Sequence, residues 1–78
     1  MKTLSTTVEL TSPYGEINVT VDYRWEEGEY GIYCPVIYEM VPIFEVEDEP
    51  EYISDARKYL AENWNIAIRE VEMILLEY

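Results

Sequence analysis

The chain is predicted to fold as one α+β domain over residues 1–78, a three-stranded antiparallel sheet (β-β-β) followed by a C-terminal helix that is kinked or split near Asn63-Trp64-Asn65. Three observations carry this expectation. Apolar and polar residues alternate strictly from Glu16 to Trp25, the period of a strand with one buried and one wet face. Turn residues punctuate the first half at Ser12-Pro13-Tyr14-Gly15 and at Glu26-Glu27-Gly28-Glu29. Beyond Glu49 the apolar positions step by three and four, the period of a helix face.

The first strand is read from Leu4, Thr6, Val8 and Leu10, which alternate with Thr3, Ser5, Thr7 and Glu9. Pro13 fixes φ and Gly15 allows positive φ, so a tight turn follows. In the second strand Ile17, Val19, Val21, Tyr23 and Trp25 face one way, and Glu16, Asn18, Thr20, Asp22 and Arg24 the other. The two strands are expected to pair as an antiparallel hairpin. After the second turn, Tyr30 to Val46 is rich in β-branched and aromatic residues but carries Pro35 and Pro42, which cannot donate to a ladder. This reads as a hairpin return to about Tyr33, an interruption at Cys34-Pro35 and a strand from Val36 to about Val41. Phe44–Val46 extends it after a bulge or kink. Its prolines suit a sheet edge.

Asp48 is the expected N-cap of the helix, with Pro50 in the first turn and Glu51 completing a capping box. Ile53, Ala56, Leu60, Trp64, Ala67, Val71, Ile74, Leu75 and Tyr78 form one stripe. An unbroken helix would run about 42 Å at ~1.5 Å per residue, longer than a small sheet can cover. Asn63 and Asn65 favour caps over helix interiors, which places the break there.

Composition narrows the function. Seventeen acidic residues against five basic ones give a formal charge of −12. Disordered acidic chains lack the 49% hydrophobic and 14% aromatic content found here, so the domain folds. Negative charge opposes binding to anionic membranes and to nucleic acid. No apolar run approaches the ~20 residues of a bilayer span, and the N-terminus shows no apolar signal region. With one cysteine and no histidine, a disulfide framework and a zinc site lack their residues. A cytoplasmic setting is expected.

Catalytic constellations are missing. The carboxylates have no evident cleft to work across. The run Glu45, Glu47, Asp48, Glu49 and Glu51 lacks the central glycine and the spacing of a calcium loop. Cys34 has no histidine to activate it and is expected to be a buried or half-buried structural residue. Gly15, Gly28 and Gly31 match no phosphate-binding loop. No enzyme activity, cofactor or metal is expected. Tyr23, Trp25 and Trp64 are core candidates. Tyr14, Tyr30, Tyr33, Tyr38, Tyr52 and Tyr59 are too many for so small a core: they serve as interface residues or cover the outer sheet face.

The acids cluster at Glu26, Glu27 and Glu29 and again at Glu45, Glu47, Asp48, Glu49 and Glu51. In an extended segment Glu45, Glu47 and Glu49 would share one side at spacings of about 6.6–6.8 Å, similar to neighbouring phosphates on a nucleic-acid strand. Solubility alone is met by a net charge of about two to eight in magnitude. A solubilising or salt-adapted surface is the bland reading; the excess charge points instead to a basic partner.

In size, in the runs Glu26-Glu27-Gly28-Glu29 and Glu45-Val46-Glu47-Asp48-Glu49, and in its tyrosines, the chain resembles small acidic phage-encoded anti-defence proteins of the DNA-mimic type, the anti-CRISPR and anti-restriction proteins. In charge and size it is also similar to barstar-like nuclease inhibitors and bacterial immunity proteins. The resemblance is one of size and composition. It implies an inhibitor that blocks a basic, nucleic-acid-binding protein surface by mimicking phosphate charge. The candidate partner-binding residues are Glu26, Glu27, Glu29, Tyr30, Glu45, Glu47, Asp48, Glu49 and Tyr52. The alternative is a structural or assembly protein that homodimerises through the C-terminal helical stripe, with Ile68, Ile74, Leu75 and Tyr78 at the interface.

Overall fold

Residues Leu4–Ser12 (β1) and Gly15–Glu27 (β2) form an unbroken antiparallel hairpin, from Leu4 opposite Tyr23 to Ser12 opposite Gly15. Ser12 closes the turn. Its hydroxyl donates to the Gly15 carbonyl (2.6 Å) and accepts from the Tyr14 N–H (3.1 Å), while Gly15 supplies a φ of 112° that a side chain would resist. The computed structural model that defines this architecture describes residues 2–77.

Tyr33–Pro42 (β3) pairs with β2 and completes a sheet of order β1-β2-β3, which puts the proline-bearing strand at an edge. Two expectations for this stretch are corrected. The strand runs through Cys34-Pro35 without interruption, because Pro35 is buried opposite Trp25 at a non-hydrogen-bonded position of the edge strand, where its nitrogen faces away from β2 and no ladder bond is lost. Phe44–Val46 leaves the sheet and does not extend it. The irregularity falls instead at Tyr38, an extra residue between Ile37 (opposite Tyr23) and Glu39 (opposite Asp22). This bulge leaves Tyr38 and Glu39 exposed together.

Two helices follow, Pro50–Glu62 (α1) and Trp64–Leu76 (α2). The break lies at Asn63, whose φ of −121° and ψ of 33° are not helical. Its backbone N–H (2.9 Å) and its side-chain Nδ2 (3.0 Å) both donate to the Tyr59 carbonyl, ending α1, while its carbonyl accepts from Ala67 to start α2. One asparagine thus serves two helix ends. The expected N-cap is corrected. Glu49 holds that position without a side-chain bond, and the Asp48 carboxylate instead accepts from the Glu45 N–H at 2.8 Å. Pro50 opens the helix as expected.

Both helices lie on one face of the sheet. Val8, Leu10, Ile17, Val19, Val21 and Met40 from the strands meet Ala56, Leu60, Ala67, Val71 and Leu75 from the helices in a single core. Tyr23 and Trp25 border it as an edge-to-face pair with ring centroids 6.1 Å apart. Trp64 does not join it, being 40% exposed. Tyr78 lies outside the described residues. The molecule measures 45 × 21 × 19 Å, and its long axis matches the ~44 Å of a 13-residue strand. No described helix is long and apolar enough to cross a membrane.

Candidate functional site

The helices leave the other face of the sheet uncovered. Strand alternation sends Glu16, Asn18, Thr20, Asp22, Arg24 and Glu26 of β2 to that face, flanked by Glu9 of β1 (opposite Asn18) and Glu39 of β3 (opposite Asp22). Among the described residues no charged side chain is buried, so the carboxylates are exposed or half-buried. Arg24 interrupts the row but is engaged internally. Its guanidinium lies 5.0 Å from the centroid of the Tyr38 ring, and its Nε donates to the Thr3 hydroxyl at 3.1 Å. The Tyr38 hydroxyl donates to Glu26 at 2.9 Å. That bond to a carboxylate, reinforced by desolvation, raises the phenol above its ordinary pKa.

The two acid runs nominated from sequence do not converge. Glu26, Glu27, Glu29 and Tyr30 sit together at the tip of the β2–β3 hairpin. Glu45, Glu47, Asp48 and Glu49 follow the opposite end of β3, where the Ile43 N–H donates to the Asn18 carbonyl at 2.8 Å. From Asn18 to Glu27 along β2 is about 30 Å at ~3.4 Å per residue. Nor is Glu45–Glu49 an extended row. The Asp48 N–H donates to the Glu45 carbonyl at 3.2 Å, and the returning bond from Glu45 to the Asp48 carboxylate closes a turn. The carboxylates of the outer face are what connect the two ends. Glu26 is nominated from sequence, and Glu16 and Asp22 are read there on the wet face without being nominated, while Glu9 and Glu39 join them only through pairing across strands, which is not local.

Tyr30 is the most conspicuous residue of the tip. It is 95% exposed and adopts φ 60°, ψ 24°, a left-handed conformation that a side chain resists. The turn is held by the Gly28 N–H donating to the Ile32 carbonyl at 2.7 Å, with Gly31 also at positive φ. Tyr52 is placed differently. It packs against the core edge-to-face with Phe44 (6.0 Å), and its hydroxyl donates to the Glu16 carbonyl at 2.7 Å, tying α1 to the first turn. Tyr59 also packs on the core, whereas Tyr14, Tyr33 and Tyr38 are exposed. Cys34 is exposed as well, on the outer face opposite Glu26, which corrects the expectation of a buried thiol.

An open groove of about 470 Å³ went unforeseen. Val41, Pro42, Arg57, Leu60, Ala61 and Trp64 line it. Arg57 is stacked over Phe44 at 5.3 Å. Of the residues nominated for a helix-mediated dimer, Leu75 is buried, and Ile68 and Ile74 pack on the core; Trp64, Ile66, Met73 and Leu76 are the exposed large apolar residues of α2. Among the described residues no group of three carboxylates is placed to hold a metal ion. Neither a family model, nor a curated protein, nor a solved structure matches the chain.

Proposed function

We propose that this is a non-enzymatic acidic binding protein that occupies a basic, nucleic-acid-binding surface on a protein partner. Its carboxylates stand where that surface normally holds phosphates. The observation that carries the reading is the hairpin tip: a fully exposed tyrosine held in an unfavourable backbone conformation among Glu26, Glu27 and Glu29, at the end of an acidic sheet face. A solubilising surface has no use for a strained aromatic at its apex; a contact residue does. The 45 Å length exceeds the ~34–36 Å of one duplex turn, so one molecule can span a groove built for a helical turn of nucleic acid.

Long-range attraction between −12 charges and a basic groove speeds encounter. Tyr30 and the outer-face Tyr38 add short-range contact area. The DNA-mimic anti-defence proteins work by this chemistry, and the likeness in size and charge supports the reading. The experiment is a displacement assay. Proteins retained on the immobilised chain are identified, and each is bound to a labelled duplex and titrated with the free chain. Release of the duplex, fading as salt rises, is the expected result. Retained proteins that have no nucleic-acid site, or duplex that stays bound, contradict it.

A further inference from the structure

The two edges of the sheet are protected unequally. β3 is blunted by Pro35 and Pro42, which withhold donors, and by the bulge at Tyr38. β1 has no such device. It contains no proline, lysine or arginine, its pairing with β2 has no bulge, and Glu9 is its one charged residue. In so acidic a chain this is a conspicuously neutral strip.

The hydrogen-bonding direction of this edge follows from its turn. Ser12 and Gly15 flank a two-residue loop and form a hydrogen-bonded pair, so Leu10, Val8, Thr6 and Leu4 bond to β2. Ser5, Thr7, Glu9 and Thr11 therefore turn their N–H and C=O groups outward. The Thr11 N–H is taken by the Glu70 carboxylate of α2 at 3.3 Å, which confirms the direction. Among the described residues nothing accepts from Ser5, Thr7 or Glu9.

We infer that β1 is the docking edge for a second copy of this chain, the two strands pairing antiparallel about a two-fold axis at Thr7 to make a six-stranded sheet. The sequence is self-complementary in that register. Thr7 meets Thr7, Ser5 meets Glu9, Thr6 meets Val8 and Leu4 meets Leu10 of the second copy. Hydroxyls face hydroxyl or carboxylate on the outer side, Leu4 meets Leu10 and the β-branched Thr6 meets Val8 on the helix side, and no carboxylate opposes another. An edge whose carboxylates are confined to Glu9 and to Glu70 at the Thr11 end is the least repulsive approach for a second copy of a chain of charge −12. Screening of that repulsion makes the dimer tighten as salt rises, opposite in sign to capture of a basic partner. The inference is independent of the proposed function.

The test is sedimentation of the full chain over a concentration series at low and high salt, with amide exchange read at Ser5, Thr7 and Glu9. The expected result is a dimer that strengthens with salt and protects these three amides as concentration rises. Thr7→Lys places two cations opposite each other and weakens dimerisation by about fivefold. Ser54→Lys makes the same charge change on exposed α1 and does not weaken it. A chain monomeric throughout overturns the inference. So does a dimer that Thr7→Lys leaves intact and Met73→Glu on α2 disrupts, or protection of the three amides only when another protein is added.

Discussion

Asp22 of β2 and Glu39 of β3 stand directly opposite one another on the uncovered face of the sheet. Like charges in that relation oppose strand pairing by a fraction of a kcal/mol, and the bulge beside them leaves both accessible to solvent. Glu39→Lys converts the repulsive pair to an attractive one. It is expected to stabilise the fold by about 0.5 kcal/mol, read as a raised urea midpoint, and to weaken partner capture at the same time.

Tyr30 offers a second separation of stability from function. A left-handed non-glycine residue costs roughly 1 kcal/mol, which glycine recovers in part. Tyr30→Gly is expected to raise the thermal midpoint slightly while reducing capture of the partner. Unchanged capture with higher stability would show that the exposed ring is idle.

The Tyr38–Glu26 bond has a spectroscopic signature. The folded phenol is raised above its unfolded value of about 10. Its contribution to stability is therefore fully present below pH ~10 and is lost as pH rises through the folded value. Ultraviolet titration of wild type and Tyr38→Phe isolates this late-ionising phenol. Glu26→Gln is expected to shift its midpoint downward.

Asn63→Ala removes the side-chain bond to the Tyr59 carbonyl at the junction of both helices. A loss of about 1 kcal/mol is expected, smaller than the ~2–5 kcal/mol for Leu75→Ala in the core. Chemical denaturation of the two variants gives the order directly.

Local patterns were legible before any coordinates. The Ile17–Trp25 alternation, the Ser12–Gly15 turn and the asparagine break each rest on a few neighbouring residues, and each stands as read. What escaped depended on partners far along the chain. Pro35 stays in its strand because its register opposite Trp25 turns its nitrogen to the free edge, and Asp48 serves a turn because Glu45 returns to it. Trp64 keeps the helical spacing of the stripe, yet it opens α2 just past the break at Asn63 and lines a groove instead of joining the core. The two acid runs are nominated together as partner-binding residues, and only the length of β2 shows that they lie at opposite ends of a face.

That face is the centre of the account, and neutralising it is the direct test. The variant Asp22→Asn, Glu26→Gln, Glu39→Gln keeps side-chain shape and removes three charges from the outer surface. Compared with wild type in the duplex-displacement titration over a salt series, it is predicted to bind the partner at least tenfold more weakly at low salt, with a shallower salt slope. Equal affinity and equal slope for the two proteins, with the variant merely more stable, would contradict it.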